Sequence, residues 1–230
     1  MRGSQVGGGV GAVMGSKLLK GILVWGGTRD LSKELVDRAK FMKVNTDIVK
    51  RIATHDTTKV LHRYGTNVLM NIIQSIGALP PHYNFGGTGK LKDVTPVSEE
   101  YIKDHYPTET HGCYNCPIGC TQMPTVKSGP FKISATEKYV KQEYENTWAL
   151  GPNIGVTDPE ADLKYQKLAN ELGLDTISLG NTLAMAVELA KNGKLNLDVD
   201  WGDAGALEYL IYKIAYRDGI GDDLARVIIG

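Results

Sequence analysis

The chain has no excess of charge and no long apolar run, and both absences exclude classes of function. Its 230 residues carry 26 basic and 26 acidic side chains, so the formal net charge is zero. A neutral chain gives no electrostatic reason to expect a nucleic acid or an anionic membrane surface as a partner. No apolar run reaches bilayer-spanning length, and no secretory signal opens the sequence. We therefore expect a cytoplasmic protein with no membrane and no nucleic-acid partner.

Cysteine is scarce, and its placement is the most informative feature of the sequence. The chain has only three cysteines, Cys113, Cys116 and Cys120, which form a C-x2-C-x3-C pattern. Thiolates at this spacing are typical of ligands that bind separate irons of one iron–sulfur cluster. A cubane cluster needs four ligands, so this chain lacks one. A disulfide framework is disfavoured, because it would use an even number of cysteines spread along the sequence.

Zinc is the main alternative for these cysteines. His105 or His111 could complete a tetrahedral site with the three thiolates. Zinc segments usually consist of two short Cys/His pairs separated by a spacer, and no second pair follows here. The sequence favours iron–sulfur and leaves zinc open.

The first 30 residues are rich in glycine and then apolar. Five glycines between residues 5 and 17 allow sharp turns and close backbone approach. The apolar run at 21–26 suits a buried strand. Gly9 and Gly11 do not form a convincing dinucleotide loop, because no strand precedes them and no βαβ unit follows.

The rest of the pattern is mostly helical, so we predict a mainly α fold with a small β remnant at the N-terminus. Capping residues and apolar periodicity mark the helix ends. The predicted helices begin after Ser32, cover 67–76 and 159–172, run from about 176 to 192, and cover 203–217. The cysteines fall in a loop punctuated by proline and glycine.

A short junction, residues 170–176, joins two of these helices. Backbone N–H groups at the start of the second helix can bind polar or anionic ligand atoms. Asp175 could accept hydrogen bonds from an amino-substituted ring, and a plain N-cap is its simpler alternative.

Seven short segments carry a resemblance to a known family, and in chain order they are 9–17, 64–66, 84–85, 113–120, 149–155, 172–178 and 219–225. They resemble the aldehyde ferredoxin oxidoreductase family. The resemblance extends over nearly the whole chain. It implies oxidation of an aldehyde to a carboxylic acid, with ferredoxin as electron acceptor. The implied cofactors are one [4Fe-4S] cluster and tungsten, or less often molybdenum, held by two pterins, with Mg²⁺ at the pterin phosphates.

The resemblance also assigns roles to single residues, beginning with the three cysteines as cluster ligands. Gly173, Leu174 and Asp175, together with Asn170, match the first pterin-binding stretch, D-x-x-G-L-D. Asn170 replaces an aspartate of that pattern, and its amide oxygen can still accept a hydrogen bond.

Two further sites follow from the same resemblance. Gly9 and Gly11 resemble a turn that lies near the pterin phosphates and their magnesium. Glu145 matches a glutamate near the metal that polarises water or takes a proton. A solvated helix residue is the alternative for Glu145.

The resemblance divides the chain and implies that parts are missing. Residues 1–30 would be the tail of an N-terminal β pterin-binding domain, and residues 31–230 the helical part, truncated at its C-terminus. A second pterin stretch, the fourth cluster cysteine and an active-site histidine are absent. We therefore expect a fragment or split subunit that is inactive alone, forms homo-oligomers, or finds its missing segments in another chain.

Three alternatives to this function stay open. A relative with the same core could reduce an aromatic thioester or a carboxylic acid. A truncated, non-catalytic piece could pack with a partner chain. A molybdopterin-guanine-dinucleotide oxidoreductase also has a cysteine-rich loop, but usually near its N-terminus and without a glycine loop before it.

Overall fold

The computed structural model describes residues 10–26, 30, 33–86, 93–133 and 140–229. Within these residues the chain forms ten α-helices and one antiparallel pair of strands, which confirms the mainly α prediction. The helices are α1 Val10–Ser16, α2 Arg38–Thr54, α3 Asp56–Tyr64, α4 Leu69–Ser75, α5 Glu99–His105, α6 Tyr144–Leu150, α7 Pro159–Leu172, α8 Thr176–Lys191, α9 Ala204–Tyr216 and α10 Ile220–Ile229. The strands are β1 Thr108–His111 and β2 Thr121–Pro124.

The largest core lies among α6, α7, α8, α9 and α10. Its central side chains are fully buried and include Leu150, Leu179, Leu183, Leu207 and Ile211. Burying an aliphatic side chain of this size contributes about 1.5–3 kcal/mol each. This core fixes α6 against α8, and two of the predicted site residues, Glu145 and Asp175, lie at the starts of these helices.

The two central helices follow the sequence prediction closely because their ends are set locally. Asp158 caps α7 by accepting a hydrogen bond from the Glu160 backbone N–H at 2.9 Å. Gly173 ends α7 with φ of 73°, the left-handed conformation that glycine adopts without strain. Asp175 then caps α8 by accepting from the Ser178 backbone N–H at 2.8 Å.

Two smaller cores lie outside the largest one. One joins α4 to α6 and contains Met70, Val94, Val97, Trp148 and Ala149. The other joins α5 to α7 and contains Ile102, Val126, Ile133, Val140 and Leu163. Val126 follows β2 by two residues, so the second of these cores lies next to the strand pair.

The N-terminal part differs from the prediction. Residues 21–26 have no regular structure, and the side chains of Leu23, Val24 and Trp25 are 83%, 83% and 78% exposed. The buried strand predicted there is wrong, because no strand among the described residues pairs with it. Ser32 lies outside the described residues, and Asp37 caps α2 instead.

The helix α2 forms as predicted, but its apolar face is exposed. None of its residues is buried. Among the helices described, none combines the length and the apolarity that a bilayer crossing requires.

Candidate functional site

The three cysteines lie on the loop that joins β1 to β2. His111 pairs with Thr121 as the last residue pair of the ladder, so the loop is closed at its base. Asn115 and Gly119 adopt φ of 54° and 62°, a region that favours these two residue types. The strands were missed from the sequence because each is only four residues long. The alternating threonines of residues 108–111 were the available signal.

The loop gives its cysteines different environments. Cys113 and Cys116 are exposed, whereas Cys120 is partly buried at the start of β2. Backbone N–H groups of Gly119 and Ile118 donate to the Cys116 sulfur and lower the pKa of its thiol. Burial raises the pKa of the Cys120 thiol, and the nearby Glu143 carboxylate raises it further. N–H groups directed at sulfur also tune the potentials of iron–sulfur clusters.

The two histidines considered as zinc ligands contact other residues. No three His, Cys, Asp or Glu side chains in the described part of the chain converge closely enough to bind one metal ion. The His105 ring stacks on Tyr101, and His111 Nε2 lies 3.2 Å from a carboxylate oxygen of Glu109. A single zinc ion needs all its ligands around one point, whereas each cluster thiolate binds a different iron.

A buried glutamine, Gln122, connects the loop to the helices beside it, and no sequence pattern singles this residue out. Gln122 is 0% exposed, and its side-chain amide donates to the backbone oxygen of His62 at 2.9 Å. Its Oε1 accepts from Lys103 Nζ and from Thr110 Oγ1, both at 3.0 Å. One side chain therefore connects α3, α5, β1 and β2.

The end of α3 fits closely against the same loop. His62 Nδ1 lies 2.7 Å from the backbone oxygen of Ile118. Gly65 has φ of 64°, and a Cβ at this position would lie 2.8 Å from the Cys120 backbone oxygen. Both constraints require glycine here, which accounts for the central residue of the 64–66 motif.

Thr66 extends this support to the start of α6. Its hydroxyl donates to a Glu143 carboxylate oxygen at 2.5 Å and accepts from the Tyr144 backbone N–H at 3.2 Å. Lys141 Nζ lies 2.7 Å from the other Glu143 oxygen.

Glu145, the predicted catalytic residue, is exposed in the first turn of α6. The buried acid of this segment is Glu143, and the role of Glu145 stays a prediction.

The junction between α7 and α8 contacts α6 at Asn146, the residue that follows Glu145. Thr176 Oγ1 donates to the Asn146 side-chain oxygen at 2.6 Å, and this buried bond joins α8 to α6. Glu145 and Asp175 are the residues that precede these two partners. This bond therefore joins the segment that carries Glu145 to the segment that carries Asp175.

The other residues of that stretch have distinct environments. Gly173 is exposed, and a Cβ there would meet no atom within 4 Å, so only its positive φ requires glycine. Leu174 packs against the largest core. Asn170 is partly buried near the end of α7. One Asp175 oxygen is used as the α8 cap, in agreement with the simpler alternative.

The glycine segment gives the weakest support to its predicted role. Gly9 lies outside the described residues. Gly11 lies within α1 and is exposed, so the sharp turn predicted there is wrong for this residue. A Cβ on Gly11 would meet no atom within 4 Å.

The chain is therefore a mainly helical protein with three free thiols on the loop between β1 and β2. Residues 43–228 match the family model described as aldehyde ferredoxin oxidoreductase, domains 2 and 3. The chain belongs to the aldehyde ferredoxin oxidoreductase family.

Individual relatives agree with this assignment. The chain is 40% identical over 229 residues to a tungsten-containing aldehyde ferredoxin oxidoreductase of Pyrococcus horikoshii, covering 95% of this chain and 36% of the relative. The corresponding protein of Pyrococcus furiosus is also 40% identical, over 232 residues, with the same coverage. An aliphatic sulfonate oxidoreductase, WOR-like subunit, of Pyrococcus furiosus is 29% identical over 228 residues, covering 95% of this chain and 34% of the relative. The chain spans about a third of the length of these curated relatives.

The cysteine environments predict unequal reactivity. We expect iodoacetamide to alkylate Cys116 several-fold faster than Cys120 near pH 7.5, because the Cys116 pKa is lowered and its sulfur is exposed. Mass spectrometry of the peptide that contains both residues would locate the label after short reaction times. The unfolded chain in denaturant, where both thiols should react alike, is the control. Equal rates in the folded chain would contradict the described loop.

Proposed function

We propose that this chain is the middle segment of an oxidoreductase that oxidises aldehydes to carboxylic acids and passes the electrons to ferredoxin. In this reaction an aldehyde and one water yield a carboxylic acid, two protons and two electrons. The three-thiol loop, with backbone N–H groups directed at Cys116, is the observation that carries the proposal. The 40% identity to tungsten-containing aldehyde ferredoxin oxidoreductases supports the substrate class.

The proposed cofactors are a [4Fe-4S] cluster and tungsten, or molybdenum, held by two pterins. When bound, they supply two-electron oxidation and single-electron transfer. Cys113, Cys116 and Cys120 would each hold one iron, and the fourth ligand would come from outside this set. The loop is suited to this task because the strand pair closes its base, and because Gln122 of β2 bonds to α3 and α5.

The pterin would lie at the junction between α7 and α8, with Mg²⁺ at its phosphates. Asn170, Gly173, Leu174 and Asp175 would form this seat, and the open space around Gly173 allows a ligand to approach its backbone. Glu145, on the neighbouring turn of α6, would take a proton from substrate water. Its exposed carboxylate leaves it accessible for this role.

The proposed partners are ferredoxin, an aldehyde, and the parts of the longer relatives that lie outside the matched third. We place the protein in the cytoplasm, where its three unpaired thiols would stay reduced. A second candidate is a non-catalytic segment that packs with a partner chain or with a second copy. The exposed apolar side chains of α2, among them Phe41, Met42 and Ile48, favour such association.

Anaerobic reconstitution with iron and sulfide tests the proposal. We expect the broad visible absorption of thiolate-bound iron–sulfur, and Cys116→Ser should lose most of it because one ligand is removed. Tyr114→Phe is the matched control, since it changes an exposed side chain of the same loop and keeps every thiol. A colourless chain that instead binds one zinc tightly would overturn the cluster, and a chain that binds neither would favour the non-catalytic candidate.

A further inference from the structure

A fully buried acid at the start of α5 has no role in the function proposed above. Glu99, the first residue of α5, is 0% exposed. Neither of its carboxyl oxygens has a hydrogen-bond partner among the described residues. An ionised carboxylate in such a place is costly, so the neutral acid is favoured. Burial accordingly raises the pKa of Glu99 to about 8.

Three charged groups act on this acid. Lys103, on the same helix, lowers the Glu99 pKa, whereas Glu100 and Glu143 raise it. Lys103 donates to the Arg63 backbone oxygen at the end of α3, and burial lowers its own pKa. The net effect of these neighbours is smaller than the effect of burial.

Short polar links connect this region to the cysteine loop. Lys103 Nζ lies 3.0 Å from Gln122 Oε1, and Gln122 follows Cys120 by two residues on β2. Glu143 is close enough to act electrostatically on both Glu99 and Cys120. Glu99 and the loop therefore share Glu143 as a charged neighbour, and Lys103 connects the helix of Glu99 to β2.

We propose that Glu99 is the proton acceptor that balances the charge when the iron–sulfur site is reduced. The inference rests on the proposed function, because it requires a cluster at the loop. One electron from the reductant enters the cluster, and one proton from water binds the ionised Glu99 carboxylate. On reoxidation the electron leaves and the proton returns to water, so the total charge of the region stays constant. A neutral Glu99 takes up no proton, so the coupling is confined to alkaline pH.

A redox titration of the reconstituted chain between pH 6 and pH 10 tests this. We expect the midpoint potential to be constant below about pH 8, where Glu99 is already protonated, and to fall above it. The limiting slope corresponds to about 59 mV for each tenfold change in proton concentration, for one electron. Glu99→Gln should give a potential independent of pH, because its amide keeps the shape of the neutral acid and cannot titrate.

Matched variants separate a proton-binding role from a structural one. Glu100→Gln removes the same charge one residue away, and the dependence of the midpoint potential on pH should remain. Glu99→Asp should also keep this dependence, but it should begin at a different pH. Reduced-minus-oxidised infrared spectra above pH 8 should gain a protonated carboxyl band that is absent in Glu99→Gln. A cluster with an unchanged slope in Glu99→Gln, or with no slope in the unmodified chain, overturns this inference alone. If no cluster forms, the proposed function fails together with it.

Discussion

Gly180→Ala should destabilise the chain by about 3 kcal/mol, although alanine is the better helix former. A Cβ at Gly180, within α8, would lie 2.3 Å from the backbone oxygen and 2.6 Å from the backbone carbon of Ala149 in α6. Backbone atoms cannot rotate away as a flexible side chain can, so the two helices must separate. Separation would open the core around Leu150 and Leu183, which are fully buried.

Urea unfolding followed by circular dichroism would measure this loss. Gly205→Ala in α9 is the matched control, because a Cβ there would meet only an Asp203 oxygen at 3.8 Å. That variant should be up to about 1 kcal/mol more stable, since alanine restricts the unfolded chain and favours the helix. If Gly180→Ala unfolds at the same urea concentration as the unmodified chain, the close contact of α6 and α8 is wrong.

The same substitution should affect the candidate site. The displaced helix α6 begins beside Glu143, which Thr66 holds against the base of the cysteine loop. The bond between Asn146 and Thr176 also spans α6 and α8 and would be strained. The packing of these two helices is therefore a condition for the site as well as for stability.

Local signals explain which elements could be predicted from the sequence. The helices α7 and α8 have Asp158, Gly173 and Asp175 at their ends, and each acts on residues within a few positions. The last predicted helix, over 203–217, corresponds to α9. The additional helix α10 was missed, although Gly219 marks the break before it.

Non-local contacts explain what could not be predicted. The strands β1 and β2 are stable only as a pair, and neither has the length of a recognisable strand. The run at 21–26 looks like a buried strand, but burial depends on a neighbouring strand that the described residues do not supply. Apolar composition alone does not distinguish a buried strand from an exposed segment without regular structure.

The candidate site shows the same division between local and non-local information. The cysteine spacing is a local pattern and located the loop directly. Gln122 and Glu99 give no such pattern, because a glutamine in a strand and a glutamate in the first turn of a helix are usually solvated. Only the packing of α3, α5 and β2 buries them.

The buried state of Glu99 has a second consequence, on stability, that does not depend on any cofactor. In the unfolded chain Glu99 ionises near its ordinary pKa of 4.5, whereas in the folded chain it keeps its proton to about pH 8. Between these values the folded chain binds one proton more than the unfolded chain. The free energy of unfolding therefore falls as the pH rises, by up to about 1.4 kcal/mol per pH unit.

Two other buried groups set the pH range for the measurement. Burial lowers the pKa of His82 below 6.5, so His82 destabilises the fold only as the pH falls below that value. Burial raises the pKa of Asp162, which acts in the same direction as Glu99 but is unchanged in a Glu99 variant. A comparison of variants above pH 6.5 therefore isolates the contribution of Glu99.

Glu99→Gln should remove the Glu99 part of this pH dependence. Relative to the unmodified chain, the variant should gain about 1.5 kcal/mol in the free energy of unfolding between pH 6.5 and pH 8, because its amide stays neutral throughout. Urea unfolding at closely spaced pH values would measure the difference, with Glu100→Gln as the control of equal charge. A constant difference between Glu99→Gln and the unmodified chain over this range would show that Glu99 is already ionised in the fold. That result would also remove the proposed proton acceptor.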